Sequence, residues 1–125
     1  MTKKEWLSSG IGIQSELRAL LQARAQTVYD AQQAKEELSV DTTQLCERLA
    51  AFERRLTERI DTLYATKQEI EAAIGKISDR RYRAVLTERY INSKKWEQIA
   101  EEMKYSAHYV SDDLHSAALN ALQYP

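Results

Sequence analysis

Helix-breaking residues are almost missing from this chain. Its 125 residues include three glycines and one proline, where an average composition supplies roughly fifteen. The proline is the last residue, Pro125, and Gly75 is the one glycine after residue 12. β-rich folds need turn residues about every 8–12 positions, so this scarcity excludes most of them and predicts an all-α chain. It also excludes glycine-rich phosphate loops, both the Walker type and the dinucleotide fingerprint. Cysteine is scarce too: Cys46 stands alone and cannot form an internal disulfide. The N-terminus, Met1-Thr2-Lys3-Lys4-Glu5-Trp6, lacks the apolar stretch of a secretory signal. Both features point to the cytoplasm, with Cys46 an incidental thiol. Long apolar runs are absent, which excludes a transmembrane helix and a membrane partner. A net charge of −1 leaves the total silent about partners. Hydrophobic residues make up 43% and charged residues 30%, the balance of an ordinary folded domain.

Apolar periodicity then organises the chain. Residues 1–12, with Ser8-Ser9-Gly10 and no clear period, read as a frayed, flexible start. From Ile13 to Glu37 the residues Ile13, Leu17, Leu20, Leu21, Val28, Ala31 and Ala34 mark one helix face. Leu38-Ser39-Val40-Asp41 breaks the pattern, and Asp41 or Thr42 offers a cap oxygen for the next helix. Over 42–77 the stripe Leu45, Leu49, Phe52, Leu56, Ile60, Leu63, Ile70, Ile74, Ile77 recurs at three- and four-residue steps, with Lys67 in the one missing position. A helix that long measures roughly 54 Å and cannot bury its stripe alone. The expected solution is an antiparallel, coiled-coil-like hairpin over 13–77. A second subunit or the C-terminal part of the chain must cover the remainder, so self-association through 13–77 is expected.

Residues 78–125 read as three short helices. Ser78-Asp79 caps the first, over 79–91, with Tyr82, Val85, Leu86, Tyr90 and Ile91 inward and Arg80, Arg81, Arg83, Glu88 and Arg89 outward. Asn92-Ser93-Lys94-Lys95 is a polar turn, Trp96–Met103 a second helix, Lys104-Tyr105-Ser106 a turn, and Ala107 to about Leu122 the third. The third is expected to bury Val110, Leu114, Ala117 or Ala118, and Ala121. The spacing of Ile99 and Ala100, then Val110, then Leu114 is that of a helix-turn-helix. A small Ala100 lets the helices cross, and Val110 and Leu114 seat the second on the first. Ser106 can cap the last helix while presenting its hydroxyl and amides to a phosphate.

Residues 80–122, from Arg80-Arg81-Tyr82-Arg83 through Trp96-Glu97-Gln98-Ile99-Ala100 to Val110-Ser111-Asp112-Asp113-Leu114-His115, resemble region 4 of sigma-70-type factors. They are most similar to the phage-encoded region-4-like regulators, the ArpU- and RinA-type late activators and their relatives. The resemblance implies a helical segment followed by a lone DNA-binding module that contacts a promoter, RNA polymerase or both. It implies a phage or prophage transcriptional regulator. Nothing resembling region 2 is present. Helix-turn-helix turns commonly place a left-handed glycine where this chain has Lys104, at a cost of about 1 kcal/mol in backbone strain.

On such a module, phosphate contacts fall to Arg80, Arg81, Arg83, Lys94, Lys95 and Lys104. The groove-facing positions are Ser106, Ala107, His108, Tyr109, Ser111, Asp112 and His115. The three arginines read equally well as phosphate clamps or as a solvated helix face. The distribution of charge is uneven. Residues 78–95 hold six basic and two acidic residues, whereas 96–125 hold one basic and five acidic. Phosphate contact therefore rests on few cations, which predicts weak, salt-sensitive binding of duplex DNA. The acidic helix keeps a second reading open, a helical interaction protein or phage packaging or assembly factor that does not read DNA. His108 and His115, about 10 Å apart along a helix, cannot share a metal. Glu101-Glu102 and Asp112-Asp113 diverge by about 100° on their helices, and no nucleophile–base set is visible. Neither an enzyme nor a cofactor is expected.

Overall fold

The computed structural model describes residues 1–37 and 43–123, and every regular element among them is helical. The order is α1 (Lys3–Ser8), α2 (Ile13–Glu37), α3 (Thr43–Gly75) and α4 (Arg80–Leu86), which widens into a π-helical turn at Thr87–Ile91. Then come α5 (Trp96–Met103), a second π-helical turn at Tyr109–Leu114, and α6 (His115–Ala121). The expected all-α class stands. Among the described residues, no helix is long and apolar enough to cross a membrane. The interhelical break at 38–41 and the cap at Asp41 or Thr42 lie outside the described residues.

The chain divides into two compact units, Ser15–Tyr64 and Met1–Gln14 with Ala65–Pro125. The boundary expected at residue 77 falls inside α3 instead. Periodicity marks a continuous stripe on α3 but cannot say which neighbour covers each part of it. In the first unit, Leu17 of α2 and Leu56, Ile60 and Leu63 of α3 are buried. Arg59 Nε bonds Glu16 Oε1 at 3.1 Å, and Arg24 Nη1 reaches Thr57 Oγ1 at 3.4 Å. Val28, Leu45 and Phe52, read as part of the inward stripes, are more than two-fifths exposed.

The second unit holds the larger core. Ile70, Ile74 and Ile77 of the α3 end pack with Val85, Leu86, Tyr90, Ile91, Ile99, Ala100, Val110, Leu114 and Ala118. Of the two covers expected for the far end of the α3 stripe, the C-terminal segment is thus the one that takes Ile70, Ile74 and Ile77. Ala121, expected inside, is exposed, and Leu122 is buried in its place.

The N-terminus corrects the expectation of a flexible start. Thr2 Oγ1 accepts from the Glu5 amide at 3.1 Å and caps α1. Leu7 is fully buried in the core, a contribution of about 1.5–3 kcal/mol. Lys3 Nζ donates to the Leu119 carbonyl at 3.1 Å. A six-residue helix is too short to display a period, and Ser8-Ser9-Gly10 looks like a loop. The glycine is there because a Cβ at residue 10 would lie 2.8 Å from the Tyr90 carbonyl oxygen and 2.9 Å from Ile70 Cδ1.

Candidate nucleic-acid interface

The candidate side chains come from the start of α4, the 92–95 linker, and the turn that joins α5 to the last helix. Asp79 has extended backbone, so its carboxylate reaches the Arg81 amide at 2.8 Å and caps α4. Desolvation works against this carboxylate. Hydrogen bonds from the Arg81 amide and side chain outweigh it and hold the carboxyl below its usual range. The Arg81 guanidinium lies 3.5 Å from Asp79 and 5.9 Å from the Tyr82 ring centroid, and a Tyr105 hydrogen bond also favours its charged form.

Arg83 is committed elsewhere. Its Nη1 donates to the carbonyls of Ile77 at 2.6 Å and Ser78 at 2.8 Å, satisfying acceptors just beyond the end of α3. That makes it a local cap rather than a free phosphate clamp. Arg80 is exposed. Arg80, Arg83 and Lys94 line one open groove of about 790 Å³ with Glu71, Glu88 and Glu102 on the same walls.

The linker is shaped by Ser93, which is left-handed at φ 58° and accepts from the Gly12 amide at 2.8 Å. The Asn92 amide closes onto the Thr87 carbonyl and the Lys94 amide onto that of Glu88, both at 3.0 Å. This turns the Lys94 ammonium back between two carboxylates. It contacts Glu88 closely and Glu102 at 2.7 Å. The Glu102 bond, then that to Glu88, raises the Lys94 pKa. The Glu88 carboxyl is held down against desolvation by Lys94 and Asn92. Arg89, read as outward, donates to the Lys94 carbonyl at 2.9 Å and lies 4.7 Å over the Trp96 ring. Lys95 is exposed at the head of α5.

Lys104 adopts φ 62°, ψ 40°, as expected of a residue standing where glycine is usual. The Lys104 amide bonds the Glu101 carbonyl at 3.3 Å, and the Tyr105 amide bonds that of Ala100 at 3.0 Å. Together they form a Schellman closure. Ser106 Oγ then accepts from the Tyr109 amide at 3.1 Å, capping the following helix. Lys104, Ser106, Ala107, His108 and Asp112 are exposed, while Tyr109 and Ser111 are half-buried. His108 Nδ1 lies 3.1 Å from Asp112 Oδ2, and the Ser111 hydroxyl bonds Asp112 Oδ1 at 3.3 Å. The Tyr105 and Tyr109 rings meet edge to face at 5.0 Å.

His115 is not on that face. It is 6% exposed, its Nε2 is 2.6 Å from the Tyr90 hydroxyl, and its ring centroid is 4.7 Å from that of Trp96. Regular helical counting places it with His108 and Ser111. The π-helical turn at Tyr109–Leu114 adds one residue to the winding, so everything after it rotates by about one residue step, roughly 100°. Leu114 and His115 are therefore both inward. Burial, then the positive charges of Lys4 and Arg89, push the His115 pKa down to about 4. The imidazole is a neutral core group.

Of the candidate phosphate-contact residues, Arg80, Lys95 and Lys104 are thus exposed and have no acidic partner among the described residues. Sequence reasoning missed the roles of Arg89, Tyr105, Glu88 and Glu102. The Lys94 pairings span six and eight residues across a bend, spacings that no helical rule singles out. Compared with known proteins, the chain matches no family model, no curated protein and no solved structure.

Proposed function

We propose that this chain is a DNA-binding transcriptional regulator of phage or prophage type, and not an enzyme. In this proposal residues 96–121 act as a helix-turn-helix within a module similar to sigma region 4. The helix that begins at Ala107 meets promoter DNA, RNA polymerase or both. The observation that carries the proposal is the joint between α5 and that helix. Ile99, Ala100, Val110 and Leu114 share one core. Left-handed Lys104 closes the turn, Ser106 caps the next helix, and Ser106, Ala107, His108 and Asp112 stay exposed. Exposed amides and a hydroxyl at a helix start suit a phosphate, and Asp112 can accept from cytosine N4.

Of the candidate cations, Arg80, Lys95 and Lys104 are those that remain for the phosphate backbone. Three such contacts imply a salt slope of about −2.7, an affinity loss of about 40-fold between roughly 50 and 200 mM salt. So small a footprint makes avidity valuable. The proposal therefore treats residues 13–77 as an antiparallel hairpin that brings two copies together. Titration of generic duplex DNA at the two salt concentrations tests it. Binding that weakens by about that factor is expected, and no binding by folded protein at the lower salt refutes DNA recognition.

One observation favours a second reading, a protein-interaction module or phage assembly factor. Glu97, Glu101, Glu102, Asp112 and Asp113 dominate the last two helices, and Lys94 is sequestered by Glu88 and Glu102. Failure of the titration, with the fold intact, supports this alternative.

A further inference from the structure

The outer side of α2 is poor in charge. The chain is 30% charged, yet from Ala19 to Tyr29 the single charge is Arg24, and it turns onto Thr57 of α3. Away from the buried Leu17 and Thr27 run Ser15, Ala19, Gln22, Gln26, Tyr29 and Gln33, at alternating steps of four and three. That is the spacing of a coiled-coil seam, here made of neutral residues. Ala19, Gln22, Ala23 and Gln26 form the four-cornered rim of a hole, and with Ala25 and Tyr29 they line a concavity of about 750 Å³. Tyr29 stands beside it, 57% exposed.

We propose that this face binds the same face of a second copy, antiparallel, about a two-fold axis at residue 24. The inference rests on self-association of the hairpin and is independent of DNA binding. About that axis the seam maps onto itself: Ser15 meets Gln33, Ala19 meets Tyr29, and Gln22 meets Gln26. The largest side chain lies opposite the smallest, as a knob opposite its hole. Gln26 donates to Asp30 at 2.8 Å, which leaves its carbonyl oxygen for the Gln22 amide of the second copy. Ala23 and Ala25 flank the axis and let the backbones approach. An isologous contact pairs a surface with itself, so a neutral face suits its own copy. A charged partner would lose hydration against it with nothing opposite.

Sedimentation or light scattering at about 100 µM tests the proposal. The wild type is expected to be a dimer. Tyr29→Glu, checked for unchanged helicity, is expected to weaken it at least tenfold. Orientation is read in a Cys46→Ser background by mixing Ala19→Cys and Tyr29→Cys proteins. A mixed disulfide is expected, whereas Tyr29→Cys alone does not link, its two copies lying about 15 Å apart along the axis. A Tyr29→Glu protein as dimeric as the wild type overturns this face and leaves self-association to another. A Tyr29→Cys disulfide without the mixed one overturns the antiparallel register. A monomeric wild type overturns this proposal and self-association together.

Discussion

Lowering the pH from about 7 to about 5 is expected to cost the core around His115 about 2 kcal/mol. His115 is 6% exposed, between the Tyr90 hydroxyl and the Trp96 ring. Burial first, then Lys4 and Arg89, pushes its pKa down to about 4, against about 6.5 in an unfolded chain. The unfolded state therefore takes up the proton first. Stability is complete above about pH 6.5, falls as the pH drops, and has lost the full contribution, about 3 kcal/mol, once below about pH 4. Roughly two-thirds of that is gone at about pH 5, where most carboxylates are still ionised. Urea unfolding at both pH values, followed by tryptophan fluorescence and circular dichroism, measures it. Trp96 is a direct reporter because its ring packs on His115. The control is His115→Gln, which keeps a polar partner for Tyr90 and removes the titration. Asp79 and Glu88, held below the usual carboxylate range, also lose stabilisation in acid, but equally in both proteins. An equal loss in wild type and variant would refute the assignment.

Four further outcomes are expected. Gly10→Ala forces a Cβ against the Tyr90 carbonyl oxygen and Ile70 Cδ1, a cost of about 1–3 kcal/mol. Gly75→Ala, with open space around it, is expected to stabilise α3 by about 0.5–1 kcal/mol, and thermal melts moving in the same direction for both would sink the comparison. Lys104→Gly relieves a left-handed residue at φ 62° and is expected to add about 1 kcal/mol; a lower midpoint would count against strain there. Glu102→Gln removes one of the two carboxylates holding Lys94. If the module binds DNA, affinity rises several-fold and the salt slope steepens by about 1. An unchanged slope means that Lys94 is not held in reserve.

Helical class, the turns at 92–95 and 104–106 and several caps were legible in the chain itself, because they depend on neighbours within four residues. Asp79 and Ser106 cap where short polar side chains precede an apolar period. Lys104 is left-handed where the turn spacing demands it. The apolar faces of α4 and α5 were readable for the same reason. Three things were settled only by tertiary packing. Leu7 brings the N-terminus into the core because a buried pocket rewards even a six-residue helix. The π-helical turn at Tyr109–Leu114 rotates the residues beyond it, carrying His115 from an expected groove face to Tyr90. And the basic stretch at 80–95 is largely spent internally. Arg83 bonds carbonyls beyond α3, Arg89 bonds the linker, and Lys94 lies between Glu88 and Glu102. Charge is additive along a sequence, but whether a cation faces solvent or a carboxylate depends on which distant elements the fold sets beside it.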